Sequence, residues 1–297
     1  MAASTVKRLF ALFFLLLGLS AAGCVKIPDA HFTVSHYGAR TAVNDDCGCD
    51  NPIFPEAAAL MAGQGAAGLD PHGFTLVNWN TYKGRKNGWD QDLTRLILPS
   101  DIVLLQEGNL TPRLLELLRE HDFNLDLAAA FTWNNAETGV LTASRIKPDF
   151  LCSFREKEPI STVPKTVLIT RYPLAGTDTS LLVANVHMIN FTIDLAAYRR
   201  QLEQTGEILA RHQGPVILSG DLNTWNNKRM AAVADLAAKL NMQPVGFADD
   251  QRSNFLGQPV DHIYYRGLVP VTSTTARVTS SDHNPMQVTF MLAGENH

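Results

Sequence analysis

The sequence predicts an α/β (α+β) domain built as a four-layer sandwich, with two mixed β-sheets packed face to face and helices on the outside. Three observations carry that expectation. Short runs rich in Val, Ile and Leu recur between Phe74 and Phe290, and such runs read as strands. Stretches with apolar residues at helical spacing separate some of these runs and not others, which suits mixed sheets better than a purely parallel one. No Gly-rich phosphate loop follows the first strand, as a doubly wound single sheet would lead one to expect.

The chain opens with Lys7 and Arg8 ahead of an apolar or small-residue run from Leu9 to Ala22. At about 14 residues this run is shorter than the ~20 that span a bilayer, so residues 1–23 read as a signal peptide. It ends in Ser20-Ala21-Ala22-Gly23-Cys24, which resembles the bacterial lipobox after which the cysteine is lipidated, although Ala21 stands where that motif more often has Leu. An ordinary cleaved signal or a short anchor is the competing reading, and in every case the domain is exported. The expectation is a membrane-anchored lipoprotein of the cell envelope or periplasm, tethered through Cys24. Residues 24–71 collect Pro, Gly, Ala and Asp without a sustained period and read as a tether-like N-terminal extension with some surface-bound extended pieces.

The folded domain is expected over 72–293. Its strands are Phe74 to Asn78, Ile102 to Gln106, Gly139 to Ala143, Thr166 to Tyr172, Leu181 to His187, Val216 to Gly220, His262 to Tyr265 and Gln287 to Phe290. Thr111-Pro112 is an N-cap followed by proline at the first helical position, leading into Leu114, Leu115, Leu117 and Leu118. Leu195 to Arg211 and Met230 to Leu240 repeat apolar residues at helical spacing. Of the cysteines left after Cys24, Cys47 and Cys49 could bind metal or form a redox pair, but read first as a solvated loop with one possible bridge, since no His or further Cys stands at ligand spacing. Cys152 reads as a small core residue.

The formal charge is −4, and loss of Lys7 and Arg8 with the leader takes it to −6. A domain that acidic lacks the general attraction to polyanions typical of nucleic-acid binders. Any such binding would have to come from a local basic groove.

Polar residues stand at the ends of the apolar strands. Asn78-Trp79-Asn80 closes the first, Leu105-Gln106-Glu107 the second, and Asn185-Val186-His187 and Gly220-Asp221-Leu222-Asn223 later ones. Val260-Asp261-His262-Ile263 opens another, and Ser281-Asp282-His283-Asn284-Pro285 precedes the last. Carboxylates and amides are hard oxygen ligands that suit Mg²⁺ or Mn²⁺, whereas zinc would favour a His and Cys cluster. His187 and His283 are then free for proton transfer or for hydrogen bonds to a phosphoryl group.

In that order, Trp79-Asn80, Gln106-Glu107, Gly139 to Arg145, His187, Gly220 to Asn223, Asp261 and Ser281-Asp282-His283 resemble the endonuclease/exonuclease/phosphatase (DNase I-like) superfamily, from about Phe74 to the C-terminus. The segments Arg155 to Pro159, Asp249 to Arg252 and Tyr264 to Leu268 look like its YafD-like bacterial branch. The resemblance implies a DNase I-like fold and a metal-dependent phosphoester hydrolase, a phosphodiesterase or nuclease. It further implies that Asn80 and Glu107, with Asp282, hold the metal, and that Asp221 and Asn223 position the attacking water and the phosphoryl oxygens. His283, paired with Asp261 or Asp282, would act as general base or stabilise the transition state, and His187 would contact the phosphate or assist the leaving group.

Nucleic acid and phospholipid or sphingolipid head groups are both open as substrates. A rival reading of another class is a non-catalytic envelope binding protein, which would be expected to have lost charged site residues. A serine hydrolase using Ser281 and His283 fails on spacing, and the exported domain has no Gly-x-Ser-x-Gly elbow. Trp79, Trp89, Trp133 and Trp225 are expected in the core, and Arg199-Arg200 and Lys228-Arg229 as solvated helix charges. Lys165 and Arg171 flank a predicted strand and carry no assigned role.

Overall fold

Most of the apolar runs lack polar alternation because the strands they form are covered on both faces. The computed structural model describes residues 25–35, 39–42, 49, 68–192 and 194–294. In chain order its strands are β1 (Val25–Lys26), β2 (Phe32–Ser35), β3 (Ala39–Ala42), β4 (Phe74–Asn80), β5 (Ile102–Asn109), β6 (Asn124–Trp133), β7 (Ala136–Ser144), β8 (Phe150–Lys157) and β9 (Pro164–Pro173). They continue as β10 (Ser180–His187), β11 (Val216–Asp221), β12 (Gln243–Pro244), β13 (Asn254–Phe255), β14 (Gln258–Pro259), β15 (Asp261–Arg266), β16 (Leu268–Thr275) and β17 (Met286–Leu292). Four α-helices are described: α1 (Trp89–Ile97), α2 (Pro112–Glu120), α3 (Ala196–Ala210) and α4 (Asn227–Lys239).

One sheet runs β16-β17-β4-β5-β7-β6-β2-β3, with β1 also paired to β6, and the other runs β12-β15-β11-β10-β9-β8. The pairs β4–β5 and β10–β11 are parallel and their neighbours antiparallel, so both sheets are mixed, as expected. Leu76, Ile102 and Leu104 of the first sheet meet Leu181, Val183, Ile217 and Ile263 of the second in a shared core. On the outer face of the first sheet, Val77, Trp79, Val103 and Leu105 pack against Leu93 and Ile97 of α1 and Leu114, Leu117 and Leu118 of α2. Leu182, Ala184, Val186 and Leu218 pack against Tyr198 and Leu202 of α3 and Val233 and Ala237 of α4. This is the four-layer sandwich, and burial on both faces is why its central strands read as continuous apolar runs.

Thr111 caps α2 as expected, its hydroxyl accepting from Leu114 N at 3.3 Å with proline at the start of the helix. The N-cap of α4 is Asn226, whose Oδ1 accepts from Arg229 N at 3.0 Å. That helix therefore starts three residues before the expected Met230, and Arg229 in its first turn lies on the buried face with Val233 and Ala237. Arg229 is consequently fully buried, which corrects the expectation of a solvated charge. Arg199, Arg200 and Lys228 are exposed, as expected.

Sequence reading passed over helix α1 and strands β6, β8 and β16. β6 carries Ala128-Ala129-Ala130, whose strand preference is low, and gains its place through pairing with β7 on one side and β2 on the other. The extension before residue 72 contributes to the sheet, with Val25 opposite Trp133 and Thr33 opposite Ala128. A second correction concerns Cys152. It is a core residue, but it is disulfide-bonded to Cys49 with Cα atoms 5.3 Å apart, and Cys49 packs against the core that β8 shares with α3 and α4. The leader, Cys24 and Cys47 lie outside the described residues. No helix among the described residues is long and apolar enough to cross a membrane.

Candidate active site

The ends of the two parallel strand pairs point the same way, so the polar residues that close them converge. In the second sheet, His187 of β10 is in register with Asp221 of β11, and Asp221 with Asp261 of β15. Three site residues thus sit side by side on adjacent strands. In the first sheet Asn80 of β4 is level with Gln106 of β5. The sheets meet where Asn80 Nδ2 donates to Asp221 Oδ2 at 3.1 Å. Behind that contact, buried Gln106 Nε2 donates to Asn78 Oδ1 at 2.9 Å and to Asn185 Oδ1 at 2.6 Å, so an amide network fixes one sheet against the other.

The backbone is bent to make this possible. Gly220 has φ 151°, and a Cβ there would lie 1.9 Å from Val186 O, so only glycine lets β11 pass β10 just before Asp221. Asn223 follows at φ 49°, its N–H donating to Asp221 Oδ1 at 3.1 Å and its side-chain amide to Met188 O at 3.0 Å. Glu107 has φ 52° at an irregularity in the β5–β7 ladder between Leu105 and Gly108. Tyr82, Lys83 and Gly84 are three successive left-handed residues that bring Lys83 against the Glu107 carboxylate. Backbone held in such regions clusters at functional sites.

His283 completes the site from the loop before β17. Its Nδ1 is 2.7 Å from Asp261 Oδ2, and its Nε2 faces Asp221 Oδ2 at 3.8 Å. Trp79, in the core as expected, donates from Nε1 to His283 O at 2.8 Å, and Ser281 Oγ donates to Asn80 O at 2.7 Å. These bonds anchor the loop. Burial alone would lower the His283 imidazole, but Asp261 and Asp221 reverse this and raise it to about 10, so it carries a proton at neutral pH. Burial, with Asp261 beside it, pushes the Asp221 carboxyl up against the pull of His283 and Lys165.

On the other side of Asp221, His187 Nε2 lies 3.4 Å from Asp221 Oδ2 and 2.8 Å from Lys165 Nζ. Burial and then Lys165 push His187 well below the ordinary histidine range. Burial would raise Glu107, yet Lys83 and then Lys165 bring it down to about 2. Lys165 is therefore the side chain whose charge reaches Glu107, His187 and Asp221 together. The sequence placed it beside a strand, but a lone lysine has no pattern that marks it as part of a site. The same holds for Lys83, although Asn80 three residues earlier and Gly84 after it mark a turn at a strand end.

The structure thus brings together Asn80, Glu107, His187, Asp221, Asn223, Asp261 and His283. Asp282 is exposed and its carboxylate accepts a long 3.4 Å hydrogen bond from Ser281 Oγ, while its charge contributes to raising His283. The partner of His283 is Asp261. Ligand-type atoms of Asp221, Asp261 and His283 lie within 4.8 Å of one another, close enough to share a cation. The remaining buried oxygen of Asp261, Oδ1, has no hydrogen-bond partner.

Residues 77–283 match the sequence profile of the Endonuclease/Exonuclease/phosphatase family. Among solved structures, the human Nocturnin catalytic domain with bound sulfate superposes with TM-score 0.59 at 17% identity, covering 76% of this chain and 97% of that one. An endonuclease/exonuclease/phosphatase family protein from Bacteroides thetaiotaomicron gives 0.57 at 17% identity, covering 76% and 100%. D. rerio TDP2 complexed with single-strand DNA product gives 0.53 at 16% identity, covering 73% and 98%. At these identities the structures establish the shared DNase I-like fold, and the profile covers most of the chain. With the strand-end site in place on that fold, the chain belongs to the endonuclease/exonuclease/phosphatase family, whose members hydrolyse phosphoester bonds.

Proposed function

We propose that the protein is a divalent-metal-dependent phosphodiesterase of the cell envelope, with Asp221 and His283 at its reacting centre. The observation that carries this reading is His283, held by Asp261 at 2.7 Å and facing Asp221 across 3.8 Å. Asp221, its carboxyl raised by burial, is suited to take the proton of an attacking water. His283 donates from Nε2 to a phosphoryl oxygen as negative charge develops there. Lys165 draws the anionic substrate toward His187 and Asp221.

Asn80 and Glu107 supply hard oxygen donors, and the ionised Glu107 already holds a cation, the Lys83 ammonium, so these residues fit Mg²⁺ or Mn²⁺. A metal held there would supply Lewis-acid chemistry, neutralising charge on the phosphoryl group and the leaving oxygen.

Export is supported by the Cys49–Cys152 disulfide, since such bonds persist in oxidising compartments. Together with the leader and Cys24 it favours an envelope lipoprotein. A cleft of about 890 Å³ on the segments that follow His187 and Asn223 in sequence, lined by Arg199, Trp225 and Lys228 and by none of the site residues, has room for much more than a phosphate. Nucleic acid is the first substrate reading, in keeping with the relative solved with a DNA product.

A second reading, a lipid head-group phosphodiesterase, is favoured by exposed apolar side chains on loops next to site residues. Phe191 follows His187, and Phe255 and Leu256 cap a hairpin whose base touches the Asp282 loop through Ser253. The deciding experiment is a panel of nucleic acids, lipid head-group esters and simple phosphoesters, each assayed with chelator, with Mg²⁺ or Mn²⁺ restored, and with Glu107→Gln. Full activity after thorough chelation and in Glu107→Gln would refute the metal-assisted reading.

A further inference from the structure

The loop after His187 belongs to no sheet or helix, yet its backbone groups from His187 O to Phe191 N–H are all engaged. Met188 N donates to Asp221 O at 2.9 Å. Side chains satisfy the rest. Gln201 donates to His187 O at 3.0 Å and accepts from Ile189 N at 2.9 Å, and Asn223 donates to Met188 O at 3.0 Å. Arg229 donates to Ile189 O at 2.8 Å and to Asn190 O at 2.7 Å, and reaches Asn223 O at 3.0 Å. Glu158 Oε1 accepts from Asn190 N at 2.7 Å and from Phe191 N at 2.9 Å.

Glu158 and Arg229 are both essentially inaccessible, at 1% and 0% exposure, and neither makes a direct salt bridge among the described residues. Arg229 lies between the rings of Tyr198 and Trp225, 4.7 and 4.5 Å from their centroids. A buried ion is expensive to desolvate, and a neutral side chain would satisfy a single carbonyl. What the two charges share is the backbone of Asn190, whose N–H points to the carboxylate and whose C=O points to the guanidinium. Charge-assisted hydrogen bonds of this kind are about twice as strong as neutral ones. Through Asn223 O, Arg229 also ties this loop to the one carrying Asp221.

We propose that Glu158 and Arg229 are positioning residues, a pair of buried opposite charges that clamp residues 188–191 and so hold His187 and Asn223 in register with Asp221. The proposal rests on the phosphoesterase reading of the site. Neither residue touches the reacting groups, so both act through the loop. A displacement of about 1 Å at a reacting group can cost on the order of a hundredfold in rate, so a loosened clamp should act on turnover before it acts on binding.

The test uses the full exported chain with Glu158→Gln, Arg229→Lys, Arg229→Met and the double variant Glu158→Gln/Arg229→Met. The amide oxygen introduced by Glu158→Gln can still accept both N–H groups, so that variant removes charge and keeps shape. kcat and KM are measured on whichever phosphoester the panel identifies, with amide hydrogen exchange over 188–191 and thermal unfolding alongside. Glu158→Gln and Arg229→Lys should each lower kcat by about tenfold or more with KM changed less than about threefold, and should speed exchange in 188–191. The double variant should lose less than the product of the single losses of Glu158→Gln and Arg229→Met, because neither charge is then left buried alone. Should Arg229→Met fail to fold, Glu158→Gln and Arg229→Lys still decide the matter. Unchanged exchange, or faster exchange with wild-type kcat, would overturn the clamp. If the wild type turns over no phosphoester, the functional reading fails, and the exchange measurement still judges the clamp.

Discussion

Removing the Cys49–Cys152 cross-link should lower stability by an amount set mainly by the length of chain it closes. The two cysteines are 103 residues apart, and a loop of that length corresponds to about 4.7 kcal/mol of chain entropy removed from the unfolded state. Measured cross-links typically deliver ~2–4 kcal/mol, and Val25–Lys26 and Thr33–Ser35 are already paired to β6 in the folded state. Cys49→Ser should therefore destabilise the protein by about 3 kcal/mol. With a urea dependence of about 3 kcal/mol per molar for a domain this large, the midpoint should fall by roughly 1 M. The assay is urea unfolding followed by tryptophan fluorescence, with and without a thiol reductant, on wild type, Cys49→Ser and Cys47→Ser. Reductant should bring wild type to the Cys49→Ser midpoint and leave that variant unmoved. A Cys49→Ser midpoint equal to that of oxidised wild type would refute the reasoning, and destabilisation by Cys47→Ser instead would show that the other cysteine makes the bridge.

His262, buried and next to Arg252, is brought down to about 4, so on acidification the unfolded chain takes the proton first and stability falls between pH 6.5 and 4. From pH 8 to pH 4.5 this amounts to about 2.5 kcal/mol. His262→Gln should flatten that part of the urea-midpoint profile, and a profile as steep as wild type would rule the histidine out as its source. Asp221→Asn and His283→Ala should each lower kcat by about a hundredfold or more with little change in thermal unfolding. Wild-type turnover in both would end their catalytic assignment, and unfolding would make them structural. Cys24→Ala should release the protein from the membrane fraction, and a wild-type mass without lipid would end the anchoring proposal while leaving export intact.

Much of the site was legible because its residues interrupt apolar strands at their ends. Glu107, Asp221 and Asp261 stand out for that reason, and the order of the motifs marked them together. The sandwich was legible from the same runs, since strands buried on both faces are the least ambiguous. What could not be read depends on distance in space. Lys165 is one lysine in an ordinary strand start, and its contact with His187 spans 22 residues. Cys152 looked like core because it is core, and which cysteine meets it is decided by where residue 49 passes β8. Arg229 resembles a surface charge while the helix is taken to start at Met230; with the N-cap at Asn226 it falls within the first turn, on the same face as the buried Val233 and Ala237. Between Asp261 and Asp282, one loop geometry decides which carboxylate faces His283, and adjacent residues in sequence carry no sign of it.

The side-by-side arrangement of His187, Asp221 and Asp261 makes their separations a property of the ladder, about 4.8 Å per strand. Surrounding loops can lengthen or change partner preference without moving these three groups, which gives the protein freedom to acquire new substrates while its chemistry stays put. The same arrangement is unforgiving in one direction. A one-residue slip of β11 would turn Asp221 to the opposite face and bring Gly220 between the two neighbours. Such a chain could still bury much of its apolar surface and remain soluble, yet it would be inert. Specific activity per molecule, and not yield or solubility, is therefore the measure of whether a preparation of this protein has paired its strands correctly.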